Sequence, residues 1–190
     1  MIRGIIFDCF GVLYGGSLST LVNMCPADKL DQLRDLSKQS DYGYIDRSEY
    51  VEGVATLVGS SPDEITELLR HKHIRNEPLV EFVAQLKGQY KIGLLSNVGA
   101  ETIQSLFTQD ELNTLFDVVV LSNEEHITKP HPEIFKLTAE RMGLTAGECI
   151  MIDDLDSNCE GAEIAGMQSI MHTTNDTTRL LLSKILKENA

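Results

Sequence analysis

The chain has 190 residues, 42% of them hydrophobic, enough for one full-sized core or a core domain carrying a modest insertion. Lys and Arg total 16 against 29 Asp and Glu, a formal net charge of -13, so nucleic-acid phosphates and anionic lipid are repelled and neither is an expected partner. No apolar stretch reaches the roughly 18 residues that a membrane-spanning helix needs, and the four cysteines, at 9, 25, 149 and 159, show neither C-x-x-C spacing nor a disulfide-rich density.

The first element is Gly4 to Asp8, an apolar run that reads as a buried strand and ends on a carboxylate. The chain enters this strand without the basic region, apolar segment and small-residue cleavage site of a secretory leader, so a cytoplasmic protein is expected. From Tyr14 to about Gln89 no strand pattern occurs, and the interval reads as helices. Gly15-Gly16-Ser17 gives a flexible exit from the first strand. Leu30, Leu33 and Leu36 recur at a spacing of three. Ser61-Pro62-Asp63-Glu64 is a capping box with proline at the first helical position, ahead of Ile65, Leu68 and Leu69. Arg70, His71, Lys72, His73 and Arg75 form a basic cluster, open to two readings: a cationic helix C-terminus facing the dipole, or a patch that attracts an anionic substrate. Leu79, Phe82, Val83 and Leu86 then give the stripe of an amphipathic helix.

Four more strand-like runs follow: Lys91 to Ser96, Asp117 to Leu121, Cys149 to Asp153 and Gln168 to Met171. Apolar strands alternating with helices predict a parallel α/β sheet covered on both faces. The expected division is a core of residues 1–14 and 79–190, with residues 15–78 as a helical insertion over the strand rim. Ligands of such sheets bind beyond the carboxyl ends of the strands. Three of the runs end there in polar groups: Asp8, Ser96-Asn97 and Asp153-Asp154. Lys129 lies in "ITKPHPEIF", where Pro130 and Pro132 fix the loop and delay the next helix. Several carboxylates at one site repel one another unless a cation neutralises them, and hard oxygen ligands suit magnesium. A lysine, a hydroxyl, a cation and a carboxylate nucleophile are the parts that hold and transfer a phosphoryl group.

In four motifs the chain resembles the haloacid dehalogenase-like (HAD) hydrolases: "FDCFGVL", "LLSNVG", "KPHPEIF" and "IDDLDSNCEGAEIAGM", in that order and each at a strand end or the loop beyond. The resemblance implies a Rossmann-like parallel core with a small C1-type helical cap after the first strand. It implies a magnesium-dependent phosphate monoester hydrolase, a monomer or homodimer, acting on a small phosphorylated metabolite. Asp8 would be nucleophile and magnesium ligand, and the Phe10 carbonyl a further ligand. Ser96 would bind phosphoryl oxygens, Asn97 would orient the substrate with Phe10 as a pocket wall, and Lys129 would neutralise charge. Asp154 would ligate magnesium directly, with Asp153 and Asn158 holding metal-bound water.

The motif departs from the family's phosphatase pattern at Phe10, where an Asp acts as general acid and base. Phenylalanine can do neither. The family's dehalogenases also have an aromatic residue there, but they carry a serine-rich fourth motif and need no metal, whereas "DDLDSN" is acidic. Members without the second acid also resemble the sugar-phosphatase branch. Substrates with good leaving groups, such as anomeric sugar phosphates, are therefore expected to react better than simple alkyl phosphates. A 2-haloacid dehalogenase and a non-catalytic phosphate-binding protein are the alternatives.

Overall fold

The computed structural model describes residues 1–16 and 18–188; of the flexible exit expected at Gly15-Gly16-Ser17, Ser17 lies outside the described residues. Five parallel strands form one sheet: β1 (Gly4–Phe7), β2 (Lys91–Ser96), β3 (Val118–Leu121), β4 (Cys149–Asp153) and β5 (Gln168–Met171), in the order β3-β2-β1-β4-β5. Each expected strand is present to within a residue. The reason is their composition: short, β-branched and apolar, with alternate residues feeding opposite faces. Ile5, Phe7, Ile92, Leu94, Ile150 and Ile152 enter one core cluster, while Ile6, Leu95, Met151 and Cys149 enter the other. Pairing of Phe7 with both Leu94 and Ile152 puts the ends of β1, β2 and β4 side by side. Because chain order reverses between β1 and β4, a crevice opens beyond them.

Four helices follow β1 before the chain returns to the sheet: α1 (Leu18–Met24), α2 (Leu30–Asp41), α3 (Arg47–Val58) and α4 (Pro62–Lys72). They enclose a cluster of their own, with Leu21, Leu33, Val54, Ala55 and Ile65 at 2% exposure or less. Helices this short are marginal in isolation, so that cluster stabilises them, at about 1.5–3 kcal/mol for each large side chain buried. The box at Ser61 forms: Ser61 accepts from the Glu64 N–H, and the Glu64 carboxylate accepts from the Ser61 N–H. Asp46 and Glu49 make a second box at the start of α3.

Helix α5 (Glu77–Leu86) returns to the sheet, burying Leu79, Val80, Val83 and Leu86 against the core. The two connections run side by side, Gly15 N–H donating to the Ile74 carbonyl and Asn76 N–H to the Leu13 carbonyl. Arg75 clamps this crossing. It pairs with Glu111 at 2.6 Å and lies over the rings of Tyr14 and Phe107. The basic cluster therefore does not act as one patch: Arg70 and His71 pair with Glu67 on an exposed face, and Arg75 is tied into the crossing. The remaining helices are α6 (Ala100–Leu106), α7 (Gln109–Leu115), α8 (Ser122–Glu125), α9 (Pro132–Arg141), α10 (Asp156–Ala165) and α11 (Asn175–Glu188). Among the described residues no helix is long and apolar enough to cross a membrane.

Candidate active site

Asp8 follows the last residue of β1, with its N–H donating to the Ile152 carbonyl of β4. Its carboxylate is held through Oδ1, which accepts from the Cys9 N–H at 2.6 Å and pairs with Lys129 Nζ at 2.8 Å. Oδ2 has no hydrogen bond among the described residues, so it is the oxygen open to an incoming group. Burial pushes the Asp8 carboxyl up to about 7; the Lys129 charge opposes that rise and the Asp153 charge adds to it.

Lys129 comes from the loop between α8 and α9, its side chain 1% exposed between Asp8 and Asp153, the latter at 2.6 Å. Burial alone would lower its pKa, but the two carboxylates outweigh that and hold it above the ordinary lysine value. The peptide bond from Lys129 to Pro130 is cis. Expected beside the substrate, Asn97 has both amide atoms on Lys129: Nδ2 donates to the Lys129 carbonyl and Oδ1 accepts from the Lys129 N–H, each at 2.9 Å. Two bonds to one backbone unit fix where the lysine side chain starts. Ser96, 1% exposed at the end of β2, has a hydroxyl with no hydrogen bond among the described residues.

The two adjacent acids after β4 have different surroundings. Asp153 is fully buried, and its carboxylate accepts from Lys129 Nζ, the Leu155 N–H and Asn158 Nδ2. Asn158, 4% exposed on α10, thus bonds directly to Asp153. Asp154 is half-buried, and its Oδ1 is buried without a hydrogen-bond partner among the described residues. Burial, and then Asp153, raise its pKa. Gly11 explains how the β1 loop reaches it. Its φ is +84°, and a Cβ there would lie 2.1 Å from an Asp154 carboxylate oxygen, so no larger residue fits.

Ligand oxygens of Asp8, Asp153 and Asp154 lie within 4.8 Å of one another. Three carboxylates against one ammonium leave a net negative site, and the orphaned Asp154 oxygen lacks a proton donor or a cation. The residues present therefore fit a hard divalent cation, with Asp154 the open ligand and Asp153 already saturated. The Phe10 carbonyl accepts no backbone hydrogen bond among the described residues, while the ring packs against the core and sits 4.7 Å from the His73 ring. His131 is exposed at the start of α9, away from these contacts.

One site residue carried no signal in the sequence. Asp41, the half-buried last residue of α2, has its carboxyl pushed up to about 7 by desolvation, and it feels the charges of Lys129 and Asp8. An acid ending an amphipathic helix looks like any solvated acid, and only the docking of α2 on the core brings it to the rim.

A protein-family model described as "haloacid dehalogenase-like hydrolase" matches residues 2–166. The pyrophosphatase PpaX of Bacillus cereus is 27% identical over 134 residues, 70% of this chain and 60% of that protein. Fructose-1-phosphate phosphatase YqaB of Escherichia coli is 29% identical over 93 residues, 49% of this chain and 50% of YqaB. The chain thus spans about half to three-fifths of the curated relatives it matches. Among solved structures, the HAD family enzyme bt-2542 of Bacteroides thetaiotaomicron, in complex with magnesium and inorganic phosphate, superposes with a TM-score of 0.76 at 22% identity, covering 92% of this chain and 96% of its own. The family match runs through four of the five strands, with the four motifs at strand ends or in the loops beyond them, and this chain belongs to the haloacid dehalogenase-like hydrolases.

Proposed function

We propose that this protein hydrolyses phosphate monoesters of a small metabolite through a phosphorylated Asp8, with magnesium bound at Asp8, Asp154 and the Phe10 carbonyl. The observation that carries the reading is the three-carboxylate cluster with one buried lysine, a set of oxygen ligands suited to a hard divalent cation. Magnesium, when bound, neutralises phosphoryl oxygens that an acidic protein would otherwise repel. The names of the relatives, a pyrophosphatase and a sugar phosphatase, fit the same chemistry.

In this reading Asp8 Oδ2 attacks phosphorus, because Oδ1 is already held by the Cys9 N–H and Lys129. Lys129 keeps Asp8 oriented and balances charge, and its position is set by Asp153 from the side chain and Asn97 from the backbone. The free hydroxyl of Ser96 binds a phosphoryl oxygen. Asn158 acts through Asp153, holding its carboxylate in place for the lysine. The residues that split the roles of Asp153 and Asp154 also disfavour a dehalogenase, which has no use for an acidic cluster.

The test is phosphate release from an aryl phosphate, with magnesium and with a chelator, for the wild type and Asp8→Asn. Magnesium-dependent release abolished by the substitution is expected. No release from any ester, together with metal-independent halide release from 2-haloacids, would overturn the proposal.

A further inference from the structure

Phe10 leaves the loop after β1 without a group that can protonate the departing oxygen, and the fold brings one candidate acid to the same rim. The end of α2 is docked on the segment that follows β3. Ser122 Oγ donates to the Asp41 carbonyl at 2.6 Å, and His126 Nδ1 meets the Tyr42 carbonyl at 2.9 Å. Gly43, with φ +73°, lets the backbone come so close that a Cβ would sit 2.7 Å from the Asn123 carbonyl oxygen. Asn123 also lies against Gly99, two residues beyond Asn97, so the docked turn borders the loop that carries Ser96 and Asn97. Arg47, at the start of α3, donates to Thr102 on α6 and adds a further tie between the layers.

These contacts fix the end of α2, and with it Asp41, at the rim beside the loop that carries Ser96 and Asn97. Its carboxyl interacts with Lys129 and Asp8 but forms no ion pair with Lys129 within 4.0 Å, and it has no hydrogen bond among the described residues. A carboxyl without a hydrogen bond of its own, within charge range of the nucleophile and its lysine, is available to a leaving oxygen.

Resting on the phosphatase reading above, we infer that Asp41 supplies from the helical layer the acid–base function that Phe10 cannot, donating the leaving-group proton and then activating water. Asp8 bonds to phosphorus while the bond to the ester oxygen breaks. That oxygen keeps the electron pair, takes the Asp41 proton and departs as an alcohol. Water then bonds to phosphorus as Asp41 takes one of its protons, and the bond from phosphorus to Asp8 breaks. Phosphate leaves, with Asp8 again a carboxylate and Asp41 again protonated. Burial supports the starting state by holding the Asp41 carboxyl near 7, with Lys129 lowering it and Asp8 raising it; Tyr50 on α3 is the other titratable group that senses it. Under this inference, tolerance of poor leaving groups depends on Asp41.

The experiment compares kcat/KM for the magnesium-loaded wild type and Asp41→Asn on aryl and alkyl phosphates of rising leaving-group pKa. General acid catalysis contributes about 100- to 10,000-fold. A loss in that range is expected for alkyl phosphates, shrinking below about tenfold for nitrophenyl phosphate, whose leaving group hardly needs a proton. Ser122→Ala, which loosens the dock but keeps the carboxyl, should give a smaller loss with the same leaving-group dependence. A loss equal for all substrates would overturn the inference, and thermal melting shows that both variants are folded. An unchanged leaving-group dependence in Asp41→Asn overturns the inference while leaving the phosphatase intact, as does a steeper dependence in His73→Gln instead. Activity that survives Asp8→Asn overturns both.

Discussion

Replacing Lys129 with methionine removes the one ammonium that stands between two buried carboxylates. The side chains of Lys129, Asp8 and Asp153 are 1%, 9% and 0% exposed, and the two pairs measure 2.8 and 2.6 Å. Methionine nearly fills the volume, so packing changes little, but Asp8 and Asp153 lose their shared counter-charge. Breaking a buried pair by deleting one partner costs about 3–5 kcal/mol, because the remaining charge is left uncompensated. At about 2–4 °C per kcal/mol for a chain of this size, the melting temperature should fall by roughly 6–20 °C. The assay is thermal and urea unfolding of both proteins in a chelator at pH 8 and pH 5. Asp8 sits near 7 with the lysine present and moves higher without it, so at pH 5 it is protonated and the loss should shrink. A loss below about 1 kcal/mol at pH 8, the range of exposed ion pairs, would refute the reasoning. So would a loss of equal size at both pH values.

Other consequences follow from the same site. Gly11→Ala puts a Cβ 2.1 Å from an Asp154 oxygen at a φ of +84°; the left-handed backbone alone costs about 1–2 kcal/mol, and calorimetric titration with magnesium should show weakened binding. Unchanged affinity would separate Asp154 from the cation. Metal-free protein should lose stability as pH rises from about 4 to about 7. Asp8 and Asp41 ordinarily titrate at 3.8 but are raised to about 7 when folded, so the folded state holds protons that the unfolded chain has released. Urea unfolding at pH 4.5, 6 and 7.5 checks the sign, and stability climbing across that range would contradict it.

The strand ends were legible because two patterns coincide in them. A fully buried parallel strand must be a short apolar run, and a polar residue closing such a run has no packing reason to be there. Asp8, Ser96 and Asp153 satisfy both conditions, which is why their meeting on one rim could be read before the fold was seen. Partnership was not legible. That Asn97 binds the Lys129 backbone, 32 residues on, and that Asp153 binds the lysine side chain while an Asp154 oxygen stays buried without a partner among the described residues, depends on loop paths that no periodicity encodes. The basic run from Arg70 to Arg75 looked like a single feature, yet a change of chain direction sends Arg75 to Glu111 and leaves Arg70 on the surface. Asp41 is the extreme case, since only the packing of α2 on α8 and α3 sets its surroundings near the rim.

The proposed mechanism passes the phosphoryl group through Asp8. Its most direct test is to quench a single turnover of an aryl phosphate with acid in the presence of magnesium, then locate the phosphoryl group by mass spectrometry of the digested chain. A hydroxylamine-sensitive phosphoryl group is expected on the peptide containing Asp8, absent from Asp8→Asn. A phosphoryl group on another residue, or full turnover by Asp8→Asn with none trapped, would contradict it.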